Sequence, residues 1–279
     1  MVAGRKNGAG LARFTERFAK VNGVRLRYLI GGQGSAVVLL HGYAETGHMW
    51  RPIMPSLATR HTVIVPDLRG AGGSAKPASG YDKKTMAVDI HELTRSLKFD
   101  RVSIVGHDIG LMVAYAYAAQ FPQTAERVIL MDAFLPGIGD WKHVWLLRDL
   151  GAAGAGESRE RIYLEHFWND FAADRKRSVP EVDRRLYARA YAQPGAMRAG
   201  FEYFRNFERD AEDFATLGRT PLSMPMLVLS GEKAGGTFLI EQAKLVASNV
   251  RGQIVAGAGH WLIEEAPNVV IPAIRDFVD

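Results

Sequence analysis

Short runs of aliphatic and β-branched residues alternate, through the first half of the chain, with stretches whose apolar positions recur at helical spacing. The runs predict strands over 24–30, 36–40, 62–65, 102–105 and 128–131, and the spacing predicts helices over 84–98 and 111–120. After a break, strands are expected at 226–230 and 253–256, with a helix from about Phe238 and a closing helix after Pro267. Strands separated by helical stretches call for crossover connections, so the pattern implies a mostly parallel central sheet flanked by helices.

The break, residues 133–216, holds no convincing strand and concentrates aromatics and arginines in YLEHFWNDF, RRLYARAYAQ and FEYFRNF. It reads as a helical insertion, and an apolar insertion facing strand ends makes a natural lid over a pocket. The expected organisation is therefore a core of residues 1–132 and 217–279 with a helical cap over 133–216. Within the cap, GAAGAGES at 151–158 has no side chain larger than a carboxylate and is expected to be a loop.

Composition narrows the class without changing that picture. A chain of 279 residues with 47% hydrophobic and 23% charged positions is an ordinary globular protein, long enough for one sizeable core and an insertion. The net charge of +5 is spread without runs, which argues against a nucleic-acid partner. No cysteine is present, so neither disulfides nor a thiolate metal site can support the fold. The first twenty residues contain no apolar stretch long enough for a signal-peptide core or a membrane span, so a cytoplasmic location is the expectation, with a processed mature form reading the same way. A homo-oligomer is left open.

Candidate chemistry begins at SIVGHDIG, where an apolar run ends in Gly-X-Asp-X-Gly and a helical stretch, LMVAYAYAAQF, follows. Glycines on both sides of one residue suit a strained strand-to-helix turn that presents its side chain at the edge of the sheet. The residue presented is Asp108; the plainer alternative is an aspartate capping the next helix. Two distant segments add weight. LLHGY, after the run at 36–40, is placed where this kind of turn draws a backbone donor, Tyr43, to complement the amide of Ile109 as an oxyanion hole. IVAGAGHW puts His260 on a loop after the last strand, in the chain order nucleophile, acid, histidine. The acid that orients His260 is either Asp132, ending VILMDAF, or Glu232 in GEKAGG, and Asp132 is preferred. Of the other histidines, His41 and His107 are expected to brace loops, and His61, His91 and His166 sit in ordinary contexts. His48 and His143 are placed near the pocket mouth or in the cap. No histidine has metal-ligand spacing, so no metal is expected.

An aspartate nucleophile suits attack on saturated carbon, because the product is an ester that water can hydrolyse, where a serine would form an inert ether. Its histidine partner then activates water in the second step. Epoxides and alkyl halides fit this scheme, which needs no cofactor and takes a small apolar substrate.

These residues resemble the α/β-hydrolase-fold epoxide hydrolases and the related haloalkane and haloacetate dehalogenases, with the Cif-type bacterial epoxide hydrolases nearest in pattern. The resemblance runs from about Val21 to the C-terminus through VNGVRLRYLIGGQG, PDLRGAGGS, GHDIG, YLEHF, YARAYAQPGAMRAGFEYF and AGAGHWL. It implies the α/β-hydrolase fold with a helical cap, Asp108 as nucleophile, His260 as base and Asp132 as charge-relay acid. Three departures stand out. The dehalogenases place tryptophan or arginine directly after the nucleophile, where this chain has Ile109; family members commonly have proline at Ala44, so a less rigid oxyanion loop is expected. Epoxide hydrolases also protonate the leaving oxygen with two cap residues; the relatives' tyrosine falls at Phe204, and their histidine in the segment that GAAGAGES replaces. Tyr203, Phe204, His143 and Trp261 are the expected substrate contacts. Epoxide hydrolysis is the first reading; the alternatives are a dehalogenase, another small-molecule hydrolase of the fold, or a ligand-binding protein with impaired turnover.

Overall fold

The computed structural model of the chain describes residues 14–142, 159–176 and 178–279. Eight strands form one sheet: β1 (Thr15–Val21), β2 (Val24–Gly31), β3 (Ser35–Leu40), β4 (His61–Pro66), β5 (Val102–His107), β6 (Ala125–Met131), β7 (Met226–Gly231) and β8 (Val250–Val255). Their spatial order is β1-β2-β4-β3-β5-β6-β7-β8; β1–β2 and β2–β4 are antiparallel and the remaining pairs parallel. The expected mostly parallel sheet is present, and it gains a strand that hydrophobic patterning did not reveal. The sequence of β1, TERFAKV, lies almost wholly exposed at the sheet edge, so it carries no buried run to recognise. Its signal is the turn instead: Asn22 and Gly23, with φ of 45° and 76°, close a two-residue hairpin of the kind that Asn-Gly favours. At the opposite edge β8 begins three residues earlier than expected, because of its six residues Val255 alone is fully buried.

Helices cover both faces. α1 (Lys83–Ser96) and α2 (Ile109–Gln120) pack on one side, the first capped by the Asp82 carboxylate, which accepts from the Thr85 amide. Every residue of α2 from Ile109 to Ala118 is buried, as expected of a helix apolar on all faces. Between β6 and β7 the described chain runs through four helices and no strand: α3 (Glu160–Asp170), α4 (Glu181–Tyr191), α5 (Ala196–Arg205) and α6 (Phe207–Leu217). α7 (Phe238–Val246) and the closing α8 (Pro267–Val278) complete the molecule. GAAGAGES at 151–158 and His143 lie outside the described residues.

One buried ion pair fastens the helices between β6 and β7 to the core. Lys83, the first residue of α1, places its ammonium 2.6 Å from the carboxylate of Asp210 on α6, and both side chains are fully buried. The same ammonium donates to the Tyr203 carbonyl on α5 at 2.6 Å, and the Lys83 amide donates to the other Asp210 oxygen at 2.7 Å. Removing one partner of such a pair strands a buried charge. Asp210→Ala is therefore expected to cost about 3–5 kcal/mol in urea-monitored unfolding; a loss below about 1 kcal/mol, typical of an exposed pair, would contradict this arrangement.

Candidate active site

The site forms at the C-terminal end of the parallel strands, where β5 turns into α2. Asp108 occupies that turn with φ 52° and ψ −121°, a conformation that a residue with a Cβ adopts only when its surroundings impose it. Two glycines impose it by close approach. A Cβ on Gly106 would sit 2.2 Å from the Gly110 carbonyl oxygen, and one on Gly110 would sit 2.3 Å from that of Leu40. The Asp108 amide is also tied to the Met131 carbonyl at 3.1 Å, which anchors the turn to β6.

The carboxylate so presented is held from two sides. The Tyr43 amide donates to Oδ1 of Asp108 at 2.7 Å, and Nε2 of His260 stands 3.8 Å from Oδ2, beyond direct hydrogen bonding. Ile109 opens α2, so its amide is one of the first-turn donors that a helix leaves without an internal acceptor. On the far side of the imidazole, Nδ1 meets Oδ2 of Asp132 at 3.0 Å. Asp132 directly follows β6 and is buried; its other oxygen accepts from the Ser230 hydroxyl at 3.1 Å and from the Gly231 and Gly235 amides at 3.0 and 3.2 Å. Glu232 points elsewhere, accepting from the Gly257 amide at 2.8 Å.

The loops that carry these groups are braced. Nε2 of His41 accepts from the Leu68 amide at 3.0 Å while its Nδ1 meets the Gly42 carbonyl at 2.8 Å, and burial lowers its pKa, which favours the neutral ring these contacts require. His107 reaches the His260 carbonyl at 2.9 Å. The His260 amide donates to the Phe171 carbonyl at 2.9 Å, pinning the histidine loop to the residue after α3. Ala44 has φ 61°, a value closed to proline, so the departure from the relatives at this position matches a different backbone path. That loop is not left loose: the Trp168 indole on α3 donates to the Ala44 carbonyl at 3.1 Å.

A cavity of about 400 Å³ opens above Asp108 and His260. Its walls are aromatic, from Tyr43, Phe134, Phe167, Phe171, Phe204, Phe238 and Trp261, and among the described residues that line it none is lysine or arginine. Of the expected substrate contacts, Phe204 and Trp261 line the cavity. Tyr203 does not: it turns away and its hydroxyl donates to the Arg69 carbonyl at 2.5 Å. Consecutive helical side chains diverge by about 100°, so the two aromatics of α5 cannot share one wall. His143 lies outside the described residues, and His48 is outside the cavity, paired with Asp183 at 2.6 Å.

Glu45 was not singled out from sequence, since nothing in HGYAE marks that position as buried. It is fully enclosed, 3.4 Å from Nδ1 of His107, and neither of its oxygens has a hydrogen-bond partner. Burial pushes its carboxyl well above the usual range, and does the same for Glu264. The His107 and His260 rings lie 4.6 Å apart, so this acid sits one ring behind the imidazole. No group of three or more metal-ligating side chains occurs among the described residues. No described helix is long and apolar enough to cross a membrane.

A family model for the alpha/beta hydrolase fold matches residues 35–267. The sequence is 31% identical to the soluble epoxide hydrolase of Corynebacterium sp. (strain C12) over 94% of this chain and 96% of that protein. It is 38% identical to a fluoroacetate dehalogenase of a Burkholderia species, over 95% of this chain and 94% of the relative. Among solved structures, the ligand-free epoxide hydrolase CorEH superposes with a TM-score of 0.86 at 31% identity, covering 95% of this chain and 98% of its own.

Proposed function

The chain belongs to the α/β-hydrolase-fold family, and from that premise we propose that it hydrolyses small, uncharged epoxides to vicinal diols through an alkyl ester formed on Asp108. The observation that carries this reading is the side chain at the strained turn. It is a carboxylate, with an imidazole 3.8 Å from one oxygen and a backbone amide 2.7 Å from the other.

Oδ2 of Asp108 attacks a ring carbon of the epoxide; the carbon–oxygen bond of the ring breaks and its electron pair stays on the leaving oxygen. A carboxylate ordinarily carries its charge at neutral pH, so this step calls for no base. Oδ1, already bonded to the Tyr43 amide, becomes the ester carbonyl oxygen. Water then enters between His260 and the ester; Nε2 takes its proton as the hydroxide adds to the carboxyl carbon. Negative charge collects on Oδ1, where the amides of Tyr43 and Ile109 act as donors. Asp132 holds the ring in the required tautomer and offsets the imidazolium charge. Collapse of the intermediate releases the diol and restores the carboxylate.

Residues 133–216 act as the cap over this chemistry, with Phe167, Phe171 and Phe204 closing the cavity from that side. An aromatic chamber excludes water around the alkylation step and favours apolar epoxides of moderate size. Displacement of halide is the second reading, supported by the resemblance to the fluoroacetate dehalogenase. Two features favour the epoxide. No described cavity residue carries a cation for a haloacid's carboxylate, and Ile109 offers no side-chain donor to a halide.

Incubation with styrene oxide is expected to yield its diol, and incubation with fluoroacetate to release no fluoride; fluoride without diol would install the second reading instead. Within the triad, Asp132→Asn is expected to lower turnover by about 10³- to 10⁴-fold, while Glu232→Gln changes it by less than about threefold. Steady-state kinetics with the reverse ranking would move the orienting acid to the loop after β7.

A further inference from the structure

A leaving alkoxide is a strong base, and an enzyme that expels one gains rate by aiming hydrogen-bond donors at it. The cap positions expected to supply them do not: Phe204 has no donor, and the Tyr203 hydroxyl is spent on the Arg69 carbonyl. Apart from Asp108, His260 and Asp132, the described cavity lining contains two side chains that carry a polar hydrogen, Tyr43 and Trp261. They are 2% and 1% exposed, and neither the Tyr43 hydroxyl nor the Trp261 indole nitrogen has a hydrogen-bond partner. Proteins seldom leave buried donors unanswered, and two of them in the wall of one otherwise apolar chamber are donors waiting for a ligand's acceptor.

From this pairing we infer that Tyr43 Oη and Trp261 Nε1 are catalytic residues that receive the epoxide's leaving oxygen, taking the place of donors on the cap. The inference rests on the epoxide reading given above. Both residues come from the core, one from the oxyanion loop and the other from the position after the base, so each is fixed relative to Asp108 and His260 by the contacts that build the site. The indole has no acceptor function and can answer only an electron-rich atom. Burial, reinforced by the neighbouring Tyr163 and Tyr191, pushes the Tyr43 hydroxyl well above its ordinary pKa, and the Tyr163 hydroxyl interacts with it without closing a bond of normal geometry. Tyr43 therefore keeps its proton and works by hydrogen bonding. As the ring bond breaks, the electron pair moves onto the leaving oxygen between the two donors; that oxygen takes a proton from water, and the hydroxide formed is neutralised by the proton His260 later returns to solvent.

Single-turnover alkylation of Asp108, followed by quenched-flow mass spectrometry, tests the inference in Tyr43→Phe and Trp261→Phe. Two substrates are used: styrene oxide, whose leaving oxygen needs donors, and benzyl bromide, whose leaving group needs them far less. The ratio of the two rates within one variant cancels any loss of folded protein or of general packing. Each substitution is expected to lower the epoxide-to-bromide ratio by about 10²-fold, the usual effect of removing one donor from a developing oxyanion. A ratio equal to that of the unsubstituted enzyme in both variants would overturn the assignment while leaving the ester mechanism standing. If the unsubstituted enzyme forms no ester with either substrate, the epoxide reading itself falls and takes this inference with it.

Discussion

The site depends on one backbone constraint: the turn at Asp108 is held at positive φ by strands and loops that leave no room for it to relax. Gly106 and Gly110 allow β5, α2 and the end of β3 to approach so closely that any side chain there would collide with backbone. The hydrogen bond from the Asp108 amide to Met131 then fixes the turn against β6, the strand whose next residue is Asp132. A single strained residue thus sets the relative positions of a carboxylate, an amide from the neighbouring loop and the acid that meets His260. Strain of this kind costs of order 1–3 kcal/mol and persists because the surrounding core over-determines it. The core has the means, since all of α2 from Ile109 to Ala118 is buried.

The chemistry follows from what stands on that turn and what surrounds it. The Asp132 carboxylate spends one oxygen on Ser230, Gly231 and Gly235 and keeps the other for His260, which locks the imidazole's orientation. The cavity adds selectivity by subtraction: aromatic walls and no described cation leave little to hold a charged substrate. The same emptiness makes the unpartnered donors of Tyr43 and Trp261 conspicuous.

How much of this was legible in the sequence depended on whether the signal was local. Gly-X-Asp-X-Gly between an apolar run and a helical stretch is a local signal, and it located the turn. The end of the β6 run located Asp132, because a strand's C-terminal end in a parallel sheet is where a side chain can reach the site. Strand β1 was illegible, since an exposed edge strand has no buried face and its charges alternate with apolar residues to no visible period. The facing of α5 was ambiguous for a different reason. Tyr203 and Phe204 are both large, aromatic and buried, so composition could not say which meets the cavity and which meets Arg69. Glu45 was hidden most completely: a glutamate two residues after Tyr43 reads as solvated, and only the packed structure shows it enclosed behind His107.

The central claim is that Asp108 becomes covalently attached to substrate and that His260 is needed only to release it. A His260→Gln enzyme mixed with styrene oxide, digested and analysed by mass spectrometry, tests this directly. The account expects the peptide containing Gly106-His107-Asp108-Ile109-Gly110 to gain the mass of the epoxide, with the modification on Asp108 and little diol formed. An unmodified peptide, under conditions where the unsubstituted enzyme produces diol, would show that water attacks the epoxide directly and that Asp108 is not the nucleophile.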